Sequence, residues 1–513
     1  MTRDQRAPYE FDFPAREKYT TSAGKCLRLS TFVFRPGSGC FMQSKFQGTD
    51  ILSPTHILFV VGLFLICVFL SFLLTTRDVV LVAGAIVALG LFAFSFINPR
   101  IALYLLIFSM LLSPEIGARD VSGKGFTIRF EDLLLLIMGF AWLAKSAILK
   151  NIGFVTRSPL NFPILLYMFV CIISTILGIM QGTVRSPATG ILFVLKYFEY
   201  FVIFFLTVNN IHSKDQMKRL LWAVFITYII VLAVGLLQIP RGQRITAPFE
   251  GSSSEPNTLG GYLIIMFSLT ILLFLSVQGR IRKMAIGMLM ILCLVAVLFT
   301  LSRATWIGFV PMYIMLILIS QRRNILIFIL LVTLAAFPFF LPKVVIERFA
   351  YTFRGESMFT MEQMLPSGRK VKIDLDPSSR ARVESMQRVL KDFQKKPVFG
   401  YGITGYFFID AQYHRVLIEC GLIGLMAFAF LLWKIGRILF LLWKQYRADP
   451  FYNIITSGTF CAFIGLLFHA IGTNTFIIVR IMEPFWCLVG LCVAIPIIEG
   501  EGWKKSEPKP ETA

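Results

Sequence analysis

Long apolar runs alternate with short polar segments along most of this 513-residue chain. Many runs approach the roughly 20 residues that a helix needs to cross a bilayer. They are continuous, whereas the strands of a membrane barrel would alternate apolar and polar positions. The pattern therefore predicts an all-α, polytopic integral membrane protein with about 14 transmembrane helices. The runs lie at about 57–75, 79–97, 101–113, 132–149, 160–180, 190–208, 219–239, 258–277, 284–301, 304–320, 324–341, 416–443, 454–473 and 480–498.

The longest polar segment, Pro342 to His414, interrupts these runs. Its stretch from Ser379 to Glu384 is charged and predicts a helical segment within the loop. A polar insert of this size between hydrophobic spans is where we expect chemistry. The chain then divides into five parts: a disordered basic cytoplasmic tail at 1–50, transmembrane helices 1–11 at 51–341, a long periplasmic loop at 342–415, transmembrane helices 12–14 at 416–498 and a cytoplasmic tail at 499–513.

Composition supports a membrane protein and excludes other classes. Hydrophobic residues make up 56% of the chain and charged residues 15%, with a mean hydropathy of +0.74. The formal net charge is +21, but most basic residues stand in loops beside the runs, where anionic headgroups and topology account for them. We therefore expect membrane lipid as a partner and no nucleic acid. The cysteines show no spacing typical of a zinc site.

The distribution of Lys and Arg predicts the orientation. With the N-terminus inside, the cytoplasmic segments hold 27 basic residues and the short outer loops hold nine. This excess places both termini in the cytoplasm and the long loop outside. This orientation depends most on the short third run, 101–113. If that run does not cross the membrane, the direction of every later span is inverted.

Arg303 stands between two apolar runs with almost no loop around it. An arginine beside hydrocarbon costs a few kcal/mol even on lenient scales. Either it reaches outward to lipid headgroups, or it binds an anionic group such as a pyrophosphate, whose oxygens its planar guanidinium can hold in pairs.

Two further candidates lie in the preceding outer loop, which is rich in turn residues. Arg244 either joins an anion site or faces water. Asn257 is placed to cap the span that begins near residue 258, and it is also a candidate for substrate binding.

The long loop contributes Arg380, Arg382 and His414. The two arginines open a basic helix that either faces water or lies on the outer leaflet. His414 is the one histidine predicted outside, and an imidazole can exchange a proton near neutral pH. A lone surface histidine more often has no chemical role.

A metal site is a weaker alternative. Asp374 and Asp376 form a D-x-D pair, the kind of oxygen donor that binds divalent cations in some sugar transferases. No Walker A, G-x-S-x-G or H-E-x-x-H motif occurs, so nothing indicates ATP, serine hydrolysis or zinc. We expect neither a metal nor a cofactor.

Taken together, these motifs resemble the O-antigen ligase and Wzy-type O-antigen polymerase superfamily. The similarity covers roughly residues 190 to 440 and rests on motifs in a fixed order. They are the stretch from Leu301 to Gly308, Pro256-Asn257 before a span, Arg380 and Arg382, the stretch from Lys396 to Gly402, and the stretch from His414 to Gly424.

The resemblance implies a GT-C-like membrane glycosyltransferase of the bacterial inner membrane. Such enzymes take a glycan from undecaprenyl pyrophosphate on the periplasmic face and pass it to lipid A core or to a growing polysaccharide. By this resemblance Arg303 would bind the donor pyrophosphate, Arg380 or Arg382 would stabilise the leaving group, and His414 would activate the acceptor hydroxyl.

The resemblance leaves the acceptor open. The number of predicted spans exceeds what ligases lead one to expect and is nearer to polymerases, and the cationic Arg415 follows the histidine where a polar residue is usual. An O-antigen ligase-like enzyme is therefore our first hypothesis and a polymerase the alternative. A transporter or flippase for an anionic or lipid-linked sugar, holding its cargo with the same arginines, is the third.

Overall fold

The structure is a computed structural model that describes residues 79–121, 124–148, 156–241, 244–249, 255–340, 360–364, 370–374 and 377–503. The predicted first run and both predicted tails therefore lie outside these residues, apart from 499–503. The chain divides into two units, Met1–Val87 with Lys504–Ala513 and Ala88–Trp503. The first unit contributes only the start of one described helix, and the second contains the helices and loops discussed below.

Helices account for most of the described chain. We number them α1 (Val79–Ile97), α2 (Pro99–Leu112), α3 (Phe130–Ile148), α4 (Asn161–Met180), α5 (Pro187–Asn210), α6 (Lys214–Leu236), α7 (Pro256–Ser276), α8 (Arg280–Phe299), α9 (Arg303–Ile319), α10 (Arg323–Phe340), α11 (Pro377–Phe393), α12 (Gln412–Tyr446), α13 (Pro450–Gly472) and α14 (Val479–Ile498). Every apolar run predicted from 79–97 onward coincides with one of these helices. The helix predicted inside the long loop is α11.

The expected class, an all-α polytopic membrane protein, is confirmed. Among the described residues, eight helices are long and apolar enough to cross a membrane: α4 to α8 and α12 to α14. Four shorter apolar segments, within α1, α2, α9 and α10, accompany them. The predicted total of 14 spans stays a prediction.

Two small hairpins interrupt the helices. Glu115–Val121 pairs with Lys124–Arg129 between α2 and α3, and Thr360–Met364 pairs with Lys370–Asp374 before α11. Both are antiparallel. The sequence reading missed them, because short polar strands carry no long apolar run.

The two ends of α2 contact different parts of the chain. At one end, the carbonyl of Ser113 accepts a hydrogen bond from Arg480 at 2.9 Å. At the other, Lys145 donates to the carbonyl of Ile97 at 3.3 Å. Ser113 thus lies beside the start of α14, and Ile97 lies beside the end of α3. The two ends of the short third run adjoin different connections, and the orientation of the spans stays a prediction.

A hydrogen-bonded junction, which we call the clip, fastens the loop to α12. It joins 397–402 to 418–423 through backbone bonds from Tyr401 to Ile418 (3.0 Å), Gly402 to Glu419 (2.8 Å) and Leu422 to Pro397 (2.8 Å). The helix can offer these groups because Gly421 interrupts it with a φ of 68°.

Close approach of the two backbones requires glycine at the centre of the clip. A Cβ on Gly421 would lie 2.2 Å from the carbonyl oxygen of Val398, and one on Gly400 would lie 2.5 Å from that of Ile418. Gly400 also has a positive φ, of 69°. The glycines of two separate motifs thus belong to one structural feature.

A small second core seats α11 beside the clip. Val389 of this helix is buried with Ile409, Ala411 and Ile418. The half-buried side chains of Met386, Phe393, Tyr401 and Tyr406 pack around them. The loop helix is therefore held against the start of α12 by apolar contacts.

We predict that Gly421→Ala destabilises the protein. The positive φ alone costs about 1–3 kcal/mol for a residue with a side chain, and the overlap with the Val398 carbonyl adds to this cost. The measurement is the thermal unfolding midpoint in detergent. Gly90→Ala is the matched control, because its Cβ meets nothing within 4 Å in a helix and alanine there favours the helix. Equal losses in the two variants would contradict the role of the clip.

Candidate functional site

Arg303 begins α9 at a tight, buried turn. Leu301 has a φ of 50°, and Ser302 caps the helix by accepting a bond from the Thr305 amide at 3.2 Å. The Ser302 hydroxyl donates in turn to Asn257 Oδ1 at 2.6 Å. Ser302 is buried, whereas Arg303 is half-buried. The helix start thus fixes the backbone from which the guanidinium extends.

Arg244 lies at the same turn. Its Nε donates to the carbonyl of Thr300 at 3.1 Å, and its Nη2 donates to the carbonyl of Leu301 at 3.0 Å. These carbonyls follow the end of α8 and have no place in a helical ladder. Arg244 is otherwise exposed. The structure therefore brings Arg244 and Arg303 to one turn, where Arg244 stabilises the backbone and adds a second positive charge.

The cap predicted at Asn257 is wrong. Helix α7 begins at Pro256, so Glu255 takes the capping position, and its side chain makes no capping bond. Proline suits the first helical position because the missing N–H would have no partner there. Asn257 instead lies inside the first turn, where its bond from Ser302 joins the start of α7 to the start of α9.

Arg382 projects from α11 and pairs with Asp410 at 2.9 Å. Both side chains are half-buried. The pair connects the loop helix to the segment just before α12. Arg380 lies two residues earlier, close to the start of the same helix, and its side chain is outside the described set.

Glu255 connects this pair with the turn of Arg303. Loss of solvent raises the pKa of the Glu255 carboxyl, the neighbouring carboxylate of Asp410 raises it further, and Arg382 partly offsets the shift. Glu255 stands two residues before Asn257. The cationic turn and the Arg382–Asp410 pair therefore lie at the same end of the helix bundle.

His414 stands in the first turn of α12, four residues after Asp410, and it is half-buried. The two residues before it are held by hydrogen bonds. Gln412 accepts a bond from the Phe476 amide at 3.0 Å, and Tyr413 donates to the Leu467 carbonyl at 2.7 Å. These bonds hold the helix start against α13 and the segment that follows it.

Arg415 stands where a polar residue was expected, and its contacts explain how a cation is accommodated there. Its side chain is buried and pairs with Glu419 one turn along α12, at 3.2 Å. Glu419 also accepts a bond from the Thr404 amide at 3.2 Å. The extra cation is thus neutralised within the helix and connected to the loop after the clip.

The metal alternative gains no support from the geometry. Asp374 ends the second hairpin, and Asp376 lies outside the described residues. Within the described ranges, no group of three His, Cys, Asp or Glu side chains is arranged to hold an ion. That the reaction proceeds without metal stays a prediction.

The sequence reading missed several charged residues. Glu255 and Asp410 were not singled out, since nothing in their spacing relates them to Arg382. Arg480 and Glu131 are completely buried and 3.9 Å apart. A charged residue at the edge of an apolar run was the available signal for these two.

Residues 288–429 match the family model described as O-antigen ligase (Wzy_C). The matched segment begins in α8, includes Arg303, Arg382 and His414, and ends in α12 beyond the clip. The resemblance predicted from the motifs is confirmed over this segment, which is narrower than the range first assigned. The match supports a glycosyltransferase-like activity of the ligase or polymerase type in general. No curated protein matches the chain.

We predict that Glu255→Gln stabilises the protein at neutral pH. Because the folded-state pKa of Glu255 is raised, its contribution to stability is fully present below the usual pKa of about 4.3. It is lost as the pH rises through the folded-state pKa. Unfolding midpoints measured from pH 4 to pH 8 should show the variant equal to wild type in acid and more stable at neutral pH. A constant difference would contradict the assigned environment.

Proposed function

We propose that this chain, similar over residues 288–429 to O-antigen ligases, transfers a glycan from undecaprenyl pyrophosphate to an acceptor hydroxyl at the periplasmic face of the bacterial inner membrane. The observation that carries the proposal is the turn at 300–303. There Arg244 and Arg303 meet at one end of a bundle of apolar helices, and Arg382 lies at the same end.

This end of the bundle suits a lipid-linked diphosphate. The polyprenyl chain would remain among the lipid-facing helices, and its headgroup would lie at the level of the turn. Arg303 is our candidate for binding the pyrophosphate, because the guanidinium presents paired N–H donors to phosphate oxygens. Arg244 adds charge at the same turn, and Asn257 aligns the two helix starts beneath it.

Transfer requires one bond to form and one to break. The acceptor oxygen attacks the anomeric carbon of the donor sugar, and the bond between that carbon and the phosphate oxygen breaks. Its electron pair leaves with the pyrophosphate. Fixed guanidinium groups stabilise this developing charge, so Arg382 or Arg380 of the loop helix would act on the leaving group.

The acceptor hydroxyl must also lose its proton. We assign His414 to this step, because an imidazole can accept a proton near neutral pH. Its half-buried position, in a helix start that Gln412 and Tyr413 hold against neighbouring segments, supports the assignment. The proton would pass from the acceptor oxygen to the imidazole and then to solvent.

The orientation is part of the proposal. With both termini in the cytoplasm, the connections that contain Ser113, Arg244, Arg303 and the clip face the periplasm. The excess of basic residues in the opposite connections supports this orientation.

A ligase and a polymerase differ in the acceptor to which they transfer the glycan. Purified protein with a lipid-linked glycan, offered lipid A core, a second lipid-linked repeat unit or a peptide, will distinguish them by the product formed. A ligase modifies the lipid A core, and a polymerase lengthens the lipid-linked glycan. Movement of the lipid-linked glycan across a vesicle membrane without any transfer product would favour the transporter.

We predict that Arg303→Ala and His414→Ala abolish glycan transfer while the protein still inserts and accumulates. Loss of a charge-stabilising donor costs about 10²–10³-fold in kcat, and loss of a general base about 10²–10⁴-fold. The measurement is product formation by purified protein, normalised to folded protein.

Two exposed residues supply matched controls for these variants. Arg280 begins α8 and His212 precedes α6, and both belong to the connections assigned to the opposite end. Arg280→Ala and His212→Ala should keep wild-type transfer. Wild-type activity in both Arg303→Ala and His414→Ala would end the mechanistic assignment.

We also predict that removal of divalent ions leaves transfer unchanged, since guanidinium groups rather than a metal would stabilise the leaving pyrophosphate. The measurement is the transfer rate in excess EDTA, with and without added Mg²⁺. A loss of activity that Mg²⁺ restores would instead favour a site at Asp374 and Asp376.

A further inference from the structure

The segment 244–249, which we call the anchored loop, carries Arg244 but contains neither helix nor strand. One backbone bond, from the Ile245 amide to the Phe299 carbonyl at 3.3 Å, connects it to the end of α8. Two side chains, of Gln238 just after α6 and of Arg480 in α14, bind further polar groups of its backbone. They determine where Arg244 stands.

Arg480 of α14 holds one side of the anchored loop. Its Nη1 donates to the carbonyl of Pro248, and its Nη2 lies 3.4 Å from that of Phe249. Nη2 also donates to the carbonyl of Ser113, at 2.9 Å. One guanidinium therefore ties the anchored loop to the end of α2, which its rigid fork of donors makes possible.

Burial makes this contact costly. The Arg480 side chain has no exposed surface, and Glu131, also fully buried, offers the countercharge at 3.9 Å from Nε. Replacing buried ion pairs by apolar residues is often neutral or stabilising. The contacts of this guanidinium with three carbonyls from two segments are consistent with a role in fixing the geometry of the anchored loop.

Gln238 holds the opposite side of the anchored loop. Its side-chain oxygen accepts a bond from the Thr246 amide at 3.0 Å, and its Nε2 donates to the Thr246 carbonyl at 3.1 Å. This paired contact reproduces the bonding of two adjacent strands. Gln238 therefore fixes the middle of the anchored loop, at Thr246, and Arg480 fixes its end, at Pro248 and Phe249.

The backbone of the anchored loop is strained at Phe249. Phe249 has a φ of 57° although it is not glycine, a conformation that persists only where the surroundings impose it. Its ring is exposed, so packing of the ring does not impose it. Arg480 contacts the carbonyls on both sides of this torsion, those of Pro248 and Phe249.

We infer that Arg480 and Gln238 are positioning residues for the donor site. They fix the anchored loop so that Arg244 reaches the carbonyls of Thr300 and Leu301 and holds the turn from which Arg303 extends. The inference rests on the proposed function, because binding of the donor pyrophosphate is the property that this anchor would set.

The test uses Gln238→Ala and Arg480→Lys in the full chain. A lysine keeps the charge of Arg480 but presents all its donors from one nitrogen, without the fork that reaches Ser113 and the anchored loop from separate nitrogens. We expect the Kd for undecaprenyl pyrophosphate to rise by about tenfold, the lower end of the loss found for residues that orient metal ligands through hydrogen bonds. Amide hydrogen exchange should become faster at Ile245 and Thr246 and remain unchanged in the helices.

Glu483→Gln is the matched control. Glu483 lies one turn from Arg480 on α14 and is equally buried, and its carboxylate makes no hydrogen bond within the described part of the chain. This variant should keep both the wild-type Kd and the wild-type exchange.

The outcomes separate the two proposals. If wild-type protein binds undecaprenyl pyrophosphate and the folded variants bind it equally well, the anchor has no role in donor binding. Unchanged exchange at Ile245 and Thr246 would overturn it as well. If the wild type does not bind the lipid, the proposed function fails, and exchange alone then reports on the anchor. Should Arg480→Lys fail to accumulate, Gln238→Ala decides.

Discussion

Backbone polar groups next to a bilayer must find hydrogen-bond partners, since the hydrocarbon offers none. The helices satisfy this constraint within themselves, but the turns between them do not. At the end of the bundle that contains Arg303, side chains meet the need: Arg244 binds the carbonyls that follow α8, and Arg480 binds those of the anchored loop. The charges of the candidate site and the stability of its turns thus come partly from the same residues.

The motifs behind the family resemblance have two roles, one structural and one in the chemistry that we propose. Gly400 and Gly421 allow two backbones to approach within the clip, and a Cβ at either position would overlap a carbonyl. Arg303, Arg382 and His414 carry the chemistry that we propose. The clip connects the regions of Arg382 and His414, since it fastens the loop after α11 to the helix that contains His414. Spacing between motifs is therefore a consequence of this junction.

Much of the fold follows from the sequence because a bilayer tolerates few alternatives. Continuous apolar runs gave the helices from α1 onward, and the charged stretch at 379–384 gave α11. The hairpins were missed, because polar strands of five to seven residues have no pattern that separates them from loops. The cap at Asn257 was wrong because Pro256 took the first helical position, which moved the capping position to Glu255.

The site was only partly predictable. Sequence shows that Arg303 and Arg244 are unusual for their surroundings, but it does not show that they share a turn, because 58 residues separate them. Asp410 and Glu255 become candidates for the site only because they lie near Arg382, whose charge acts on both. Arg415 looked like an extra cation and is instead neutralised by Glu419. Such pairings depend on tertiary contacts that periodicity does not encode.

The most direct test of the account is an experimental structure of the protein with undecaprenyl pyrophosphate bound. We expect the diphosphate at the turn 300–303, with its oxygens within hydrogen-bonding distance of the Arg303 guanidinium and on the side facing Arg382. A diphosphate bound at the opposite end of the helices, or Arg303 turned away from it into lipid, would contradict the account.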